Sequence, residues 1–233
     1  MSNNKYKILI VEDEANIRSF IQTILEAKGY QVIAERTCKN AIMVFTSHLP
    51  DLVILDLGLP DEDGTDFIRT IRKKYYTPII VLSARSSEED KVESLELGAN
   101  DYITKPFGTA ELAARIKAAL RSNRMMDPEY LKKGIFTLQE LKVNFDTRVA
   151  TVKDEDIHLT QTEYNILSLL CQNSSKVMTY SEIITAIWGF TDDFSVKKLQ
   201  VNMANLRKKL GCSPGKNKYI INELGIGYRI NKE

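Results

Sequence analysis

Apolar residues in the first 121 positions come in short blocks separated by amphipathic stretches. Residues 7–11 (Lys-Ile-Leu-Ile-Val) and 52–55 (Leu-Val-Ile-Leu) are apolar runs of strand length, and 78–83 (Pro-Ile-Ile-Val-Leu-Ser) is a third. Such runs, bounded by turn residues, predict strands buried on both faces of a parallel sheet. Weaker strand patterns stand at 31–34 and 101–104. Between the strands the apolar period changes. Ile17, Phe20, Ile21, Ile24 and Leu25 recur at helical spacing until Gly29, and helices are also predicted over 39–48, 66–74 and 109–121. Ser86-x-x-Glu89 reads as a capping box opening a further helix that Gly98 ends. Five strand–helix units predict an α/β domain, a five-stranded doubly wound parallel sheet.

Over 122–134 no period is sustained, and Pro128 and Gly134 interrupt the chain. This stretch reads as a linker between a domain at 1–121 and another at 135–233. In the second half, Leu141, Val143, Phe145, Val149 and Thr151 alternate around Asp146-Thr147-Arg148, which predicts a small antiparallel sheet. Thr160-x-x-Glu163 and Thr179-x-x-Glu182 are capping boxes, each opening an apolar helix; Gly189 ends the second. A basic helix follows at about 195–210, with Leu199, Met203, Leu206 and Leu210 as its apolar stripe. The chain finishes in two strand patterns around Gly225 and Gly227, a hairpin.

Composition narrows the class. The 233 residues are 43% hydrophobic and 27% charged, ordinary for a globular protein. No apolar run approaches the roughly 18 residues of a membrane span. Cys38, Cys171 and Cys212 form no CxxC pair, so a reduced cytoplasmic protein is expected, with no membrane partner. The net charge of +1 conceals a basic stretch: Ser195–Lys218 contains seven Lys and Arg and no acid, a footprint for a polyanion.

The strand ends carry the chemistry. Glu12 and Asp13 follow the first strand, Asp56 the third, Ser83 ends the fourth and Lys105 follows the fifth. A parallel sheet brings these to one edge, where open α/β folds place ligands. Clustered carboxylates require a cation, and hard oxygen ligands suit Mg²⁺. A lysine and a hydroxyl on the same rim suit phosphoryl oxygens.

Ile-Val-Glu-Asp-Glu, Ile-Leu-Asp-Leu-Gly-Leu-Pro-Asp, Val-Leu-Ser-Ala-Arg and Gly-Ala-Asn-Asp-Tyr-Ile-Thr-Lys-Pro-Phe stand in this order. The first half thereby resembles the receiver domain of bacterial response regulators, a flavodoxin-like fold. The resemblance implies that Asp56 is the phosphoacceptor, taking its group from a sensor histidine kinase. It implies that Asp13, Asp56 and the Gly58 carbonyl ligate Mg²⁺, with Glu12 acting through water. Lys105 and Ser83 then hold phosphate oxygens, and Tyr102 is a switch residue turning inward behind Ser83. In the OmpR/PhoB-type subfamily the 88–121 segment is the face through which phosphorylated receivers form a homodimer. Lys91 with Glu111 and Asp101 with Arg115 match its cross-subunit ion pairs, and Val92, Leu95 and Ala113 its apolar centre. Asn100 stands where that subfamily often has an acid.

The second half offers Lys197, Val201, Ala204, Asn205 and Lys208 opposite the apolar stripe of its basic helix, with Lys198, Gln200 and Arg207 on the flanks. Lys and Arg suit phosphates, Asn and Gln adenine edges, Val and Ala a thymine methyl. Small sheet, three helices and terminal hairpin resemble the winged helix-turn-helix α+β domain of the same family, with His158-Leu-Thr-x-Thr-Glu, Leu206-Arg-Lys-Lys-Leu and Gly225-Ile-Gly-Tyr-Arg as signatures. Lys218 and Arg229 are expected at DNA phosphate. Gln161 departs from a common proline, and Leu224 from a common wing arginine.

The resemblance implies double-stranded promoter DNA and RNA polymerase as partners. Leu-Asp-Leu-Gly-Leu-Pro-Asp, Leu-Ser-Ala-Arg-Ser, Lys-Pro-Phe-Gly and Asn-Glu-Leu-Gly-Ile-Gly-Tyr-Arg resemble the Kdp-type subgroup, which regulates a potassium-uptake operon. Alternatives are regulation of another regulon, or phosphorylation-independent DNA binding with a vestigial receiver. An aspartyl-phosphate phosphatase is disfavoured: the general acid such enzymes carry two residues after the aspartate is absent, because Gly58 stands there.

Overall fold

The computed structural model describes residues 6–124, 134–174, 176–212 and 218–231. The chain separates into two compact units, Met1–Leu120 and Arg121–Glu233.

The first unit runs β1 (Lys7–Val11), α1 (Ala15–Ala27), β2 (Gln31–Glu35), α2 (Cys38–His48), β3 (Leu52–Leu55), α3 (Gly64–Ile71), β4 (Ile79–Ser83), α4 (Glu88–Glu96), β5 (Asp101–Thr104) and α5 (Thr109–Arg124). Its five strands are parallel, in the order β2-β1-β3-β4-β5. Ile8, Ile10, Leu52, Ile54, Ile80 and Leu82 face Ile21 and Leu25 of α1 and Leu112 and Ile116 of α5. The alternate residues Leu9, Val11, Val53, Leu55 and Val81 are equally buried, so both faces of the sheet are covered. Phe45 of α2 meets Phe67 of α3 edge-on, their rings 6.1 Å apart.

Several boundaries differ from the sequence reading. Helix α3 starts at Gly64 and ends at Ile71 instead of spanning 66–74, because Asp63 caps it by accepting from Thr65 N. The cap of α4 is Ser87, whose hydroxyl accepts from Asp90 N; the Ser86–Glu89 box is one residue out of register. Helix α5 continues to Arg124, three residues into the expected linker. The linker positions 125–133 lie outside the described residues. Phe20 is 48% exposed, not core, and leans on Phe107.

The second unit has β6 (Ile135–Leu138), β7 (Leu141–Asn144), β8 (Val149–Val152) and β9 (Glu155–Asp156), an antiparallel sheet in that order. It continues with α6 (Gln161–Gln172), β10 (Met178–Thr179), α7 (Tyr180–Trp188), α8 (Ser195–Lys209), β11 (Ile220–Glu223) and β12 (Gly227–Ile230). Strand β12 lies between β10 and β11. Both capping boxes form, Thr160 with Glu163 and Thr179 with Glu182, and Gly189 closes α7 at φ 76°. The expected stripe of α8 is buried against Ile166, Leu167, Leu170, Ile183 and Ile187. Leu224, at the hairpin tip, is 85% exposed. Among the described residues, no helix is long and apolar enough to cross a membrane.

Candidate functional site

Parallel pairing delivers the predicted site. Asp56 N donates to Val11 O across β1 and β3, and Lys105 N donates to Ser83 O across β4 and β5. The carboxyl ends of four strands therefore stand side by side. Carboxylate oxygens of Glu12, Asp13 and Asp56 lie within 4.8 Å of one another. The Lys105 ammonium reaches them, 2.6 Å from Asp56 Oδ2 and 3.0 Å from Glu12 Oε1. Glu12 Oε2 is also 2.8 Å from the ammonium, yet it is buried and accepts no aligned hydrogen bond.

Three acids face one lysine here, so negative charge is in surplus. Burial, together with the neighbouring Asp56 charge, pushes the Glu12 carboxyl up to about 7. Burial would lower the Lys105 pKa, but its bonds to Asp56 and Glu12 outweigh that and hold it above the ordinary lysine value. A surplus of hard oxygens with one buried lone pair unclaimed fits a small dication.

The backbone is shaped to this task. A Cβ at Gly64 would stand 2.4 Å from Asp56 O and 2.8 Å from Leu57 Cα, so only glycine lets α3 start this close to Asp56. Gly58 N donates to Asp56 Oδ1 at 3.2 Å. Ser83 is buried on the same edge, its hydroxyl accepting from Arg85 N. Tyr102 is also buried, and its hydroxyl donates to Arg85 O at 2.8 Å, so the ring already lies inward. Burial raises its pKa, with a hydrogen bond to Ser83 working against that.

Two arginines at this edge escaped the sequence reading. Arg18 donates to the carbonyls of Glu12 and Asp13, at 2.8 and 2.9 Å, and so fixes the acidic turn. Arg85 pairs with Asp63, joining the loop after β4 to the N-cap of α3. The spacing i, i+5 from Asp13 was the only trace of Arg18, and nothing local announced Asp63 with Arg85.

The proposed dimer residues fall differently. Lys91, Val92 and Ala113 are half-buried and Glu111 is exposed, but Leu95, Asp101 and Arg115 are buried. Arg115 pairs with Asp101 at 3.0 Å and with Glu111 at 2.8 Å within one chain. In the single chain Arg115 thus has partners on both β5 and its own helix.

On α8, Gln200, Ala204 and Lys208 are exposed, and Lys197, Asn205 and Arg207 are half-buried. Val201 is 6% exposed and does not present its methyls at the surface. Lys198 is 1% exposed: its ammonium sits over the rings of Trp188 and Phe190, so it belongs to the packing and not to a phosphate-facing flank. Arg207 donates to Ile220 O and covers the Tyr228 ring. Lys218 is bonded to Glu140, and Arg229 to Glu223. Lys209, not singled out by sequence, reaches the buried Glu163 at 2.6 Å.

Comparison with known proteins agrees with this geometry. Residues 8–117 match the response regulator receiver domain, and residues 154–230 match the C-terminal domain of transcriptional regulatory proteins. The chain is 41% identical over 224 residues to the KDP operon transcriptional regulatory protein KdpE of Escherichia coli, covering 96% of this chain and 98% of the relative. It is 37% identical over 223 residues to the transcriptional regulatory protein KdpE of Mycobacterium tuberculosis, covering 96% and 98%. Among solved structures, a mutant of RitR superposes with a TM-score of 0.79 at 25% identity, covering 98% of this chain and 100% of that one. DrrB from Thermotoga maritima, an OmpR/PhoB homologue, gives 0.52 at 28% identity, covering 97% and 99%. With an acidic receiver edge in its first unit and a transcriptional regulatory domain in its second, the chain belongs to the OmpR/PhoB-type response regulators, which bind DNA and regulate transcription.

Proposed function

We propose that Asp56 accepts a phosphoryl group from a sensor histidine kinase, and that the phosphorylated chain dimerises on the promoter of a potassium-uptake (Kdp) operon. The observation that carries the chemistry is the contact of Lys105 with both Asp56 and Glu12 at the carboxyl edge of the sheet. The regulon rests on the likeness to the two KdpE proteins.

Asp13, Asp56 and the Gly58 carbonyl are the groups that would hold Mg²⁺, with Glu12 behind them. Bound there, the ion neutralises charge on the phosphoryl oxygens. Asp56 supplies the attacking oxygen. The phosphorus–nitrogen bond of the kinase phosphohistidine breaks as the aspartyl oxygen–phosphorus bond forms, and the electron pair leaves with the imidazole. A carboxylate is a weak nucleophile, so placement and charge neutralisation carry the step. Lys105 passes from the carboxylates to a phosphoryl oxygen, and Ser83 donates to another. The product adds about −1.5 to −2 charge at this edge. Tyr102, packed behind Ser83, is the element this charge biases.

Dimerisation uses the face of α4, β5 and α5, with the Asp101–Arg115 and Glu111–Arg115 pairs exchanging partners across a two-fold axis. Helix α8 then reads the major groove through Gln200, Ala204 and Asn205, with Lys197 and Lys208 at phosphates and the cytoplasmic RNA polymerase as the downstream partner.

The test is operator binding by the wild type and Asp56→Asn, with and without acetyl phosphate and Mg²⁺. The duplexes are the region upstream of a potassium-transport operon and a scrambled control. Phosphodonor should tighten binding of the wild type alone, and on the operon duplex alone. Binding indifferent to phosphodonor and to sequence would reject both the switch and the target.

A further inference from the structure

We infer that Lys198 is a positioning residue for DNA reading: its caged ammonium sets the seat of the first turns of α8. This rests on the reading of α8 as the groove helix. Lys198 is the one charged member of that helix with 1% exposure, and its Nζ lies 4.8 Å from the Trp188 ring centroid and 5.0 Å from that of Phe190. An ammonium leaves water at a high cost unless a partner compensates it, and two aromatic faces do so directionally.

The cage joins α8 to the end of α7 and the loop that follows it. Trp188 is the last residue of α7, and Phe190 follows the left-handed Gly189. The rest of the connecting loop is tied to α8 as well. Asp192 accepts from Phe194 N and from the Ser195 hydroxyl, while that hydroxyl accepts from Asp192 N. Ser195 is itself fully buried. The loop therefore grips the start of α8 twice, at Ser195 and, one turn later, at Lys198.

Lys198 sits beside Lys197 and two residues before Gln200. Its anchoring fixes the rotation of α8 about its own axis, and hence where Gln200, Ala204 and Asn205 point. Base reading depends on such placement to roughly 0.5 Å, whereas phosphate attraction tolerates far more error. The signature of lost positioning is thus lost selectivity with retained salt-dependent affinity.

The test uses the full chain, a duplex selected by the wild type from a random-sequence pool, and a random duplex. The protein has a single tryptophan, so Trp188 emission reports the cage directly. Lys198→Met keeps the stem and removes the charge. It should weaken the selected duplex by roughly tenfold, leave the random duplex and the salt slope unchanged, and alter Trp188 emission. Lys198→Arg should restore both, and Phe190→Leu, which removes one wall, should act like Lys198→Met even if that variant folds poorly. Equal losses on both duplexes with a salt slope lower by about one would make Lys198 a phosphate contact and overturn the proposal. Altered emission with unchanged selectivity would overturn it too. If the wild type selects no sequence, the reading of α8 itself fails, and this proposal with it.

Discussion

Lys105 and Asp56, 49 residues apart in the chain, meet at 2.6 Å with both side chains about nine-tenths buried. Among the described residues, Lys105 is the cation that bridges Asp56 and Glu12. Removing one partner of a buried pair costs about 3–5 kcal/mol. Lys105→Met should therefore lower stability by about 3 kcal/mol, the low end because some solvent reaches the ammonium. Urea unfolding of the full chain with and without Mg²⁺ reads this: the ion should return more stability to the variant than to the wild type. Equal stability without the lysine would show that the acids do not need it.

The closeness of α3 to Asp56 gives a second expectation. Gly64→Ala forces a Cβ against backbone, which cannot yield as a side-chain tip would. A loss of about 1–3 kcal/mol is expected, with slower acetyl-phosphate labelling of Asp56. At Gly58 a Cβ would find its nearest neighbour 3.9 Å away, so Gly58→Ala should keep its unfolding midpoint. Similar midpoints for the two variants would contradict this account.

The second unit has its own buried clasp. Glu163 is 1% exposed, accepts from Thr160 N at 2.6 Å and pairs with Lys209, tying the start of α6 to the end of α8. Glu163→Gln should cost about 2 kcal/mol, since it weakens a cap and leaves the lysine unpaired. Lys209→Met should cost less, its side chain being about one-third exposed. A double-mutant cycle by thermal unfolding should find the two effects strongly non-additive; simple addition would break the link.

On the proposed reading of α8 as the groove helix, its solvent side should separate affinity from selectivity. Lys208→Ala should weaken every duplex alike and reduce the salt slope by about one. Asn205→Ala should relax preference at one base position, at a cost of about 1–3 kcal/mol on the selected duplex. Binding measured from low to high salt on selected and random DNA distinguishes them. Identical behaviour of the two variants would remove α8 from the groove.

The strand pattern was legible because each of Ile8–Val11, Leu52–Leu55 and Ile79–Leu82 is apolar throughout, which in a sheet covered on both faces leaves little ambiguity. The acidic edge followed from the order of the strand ends. What failed was whatever depended on contacts far along the chain. Lys198 looks like a solvent residue by period alone, whereas Trp188 and Phe190, eight and more residues earlier, help make a buried place for it. The intrachain pairing of Asp101 with Arg115 was equally out of view, since it depends on how the turn between β5 and α5 brings them together. Ser86 and Ser87 are indistinguishable as caps until the backbone selects one.

Strand β12 is the middle of its sheet, with Tyr228 opposite both Met178 and Asn222. A Cβ at Gly227 would fall 1.9 Å from Met178 O, so the fit there tolerates no substitute. During synthesis this strand emerges after every helix of the second unit. A ribosome that stalls before residue 227 releases a receiver whose acidic edge is complete but whose DNA-reading half lacks its central strand.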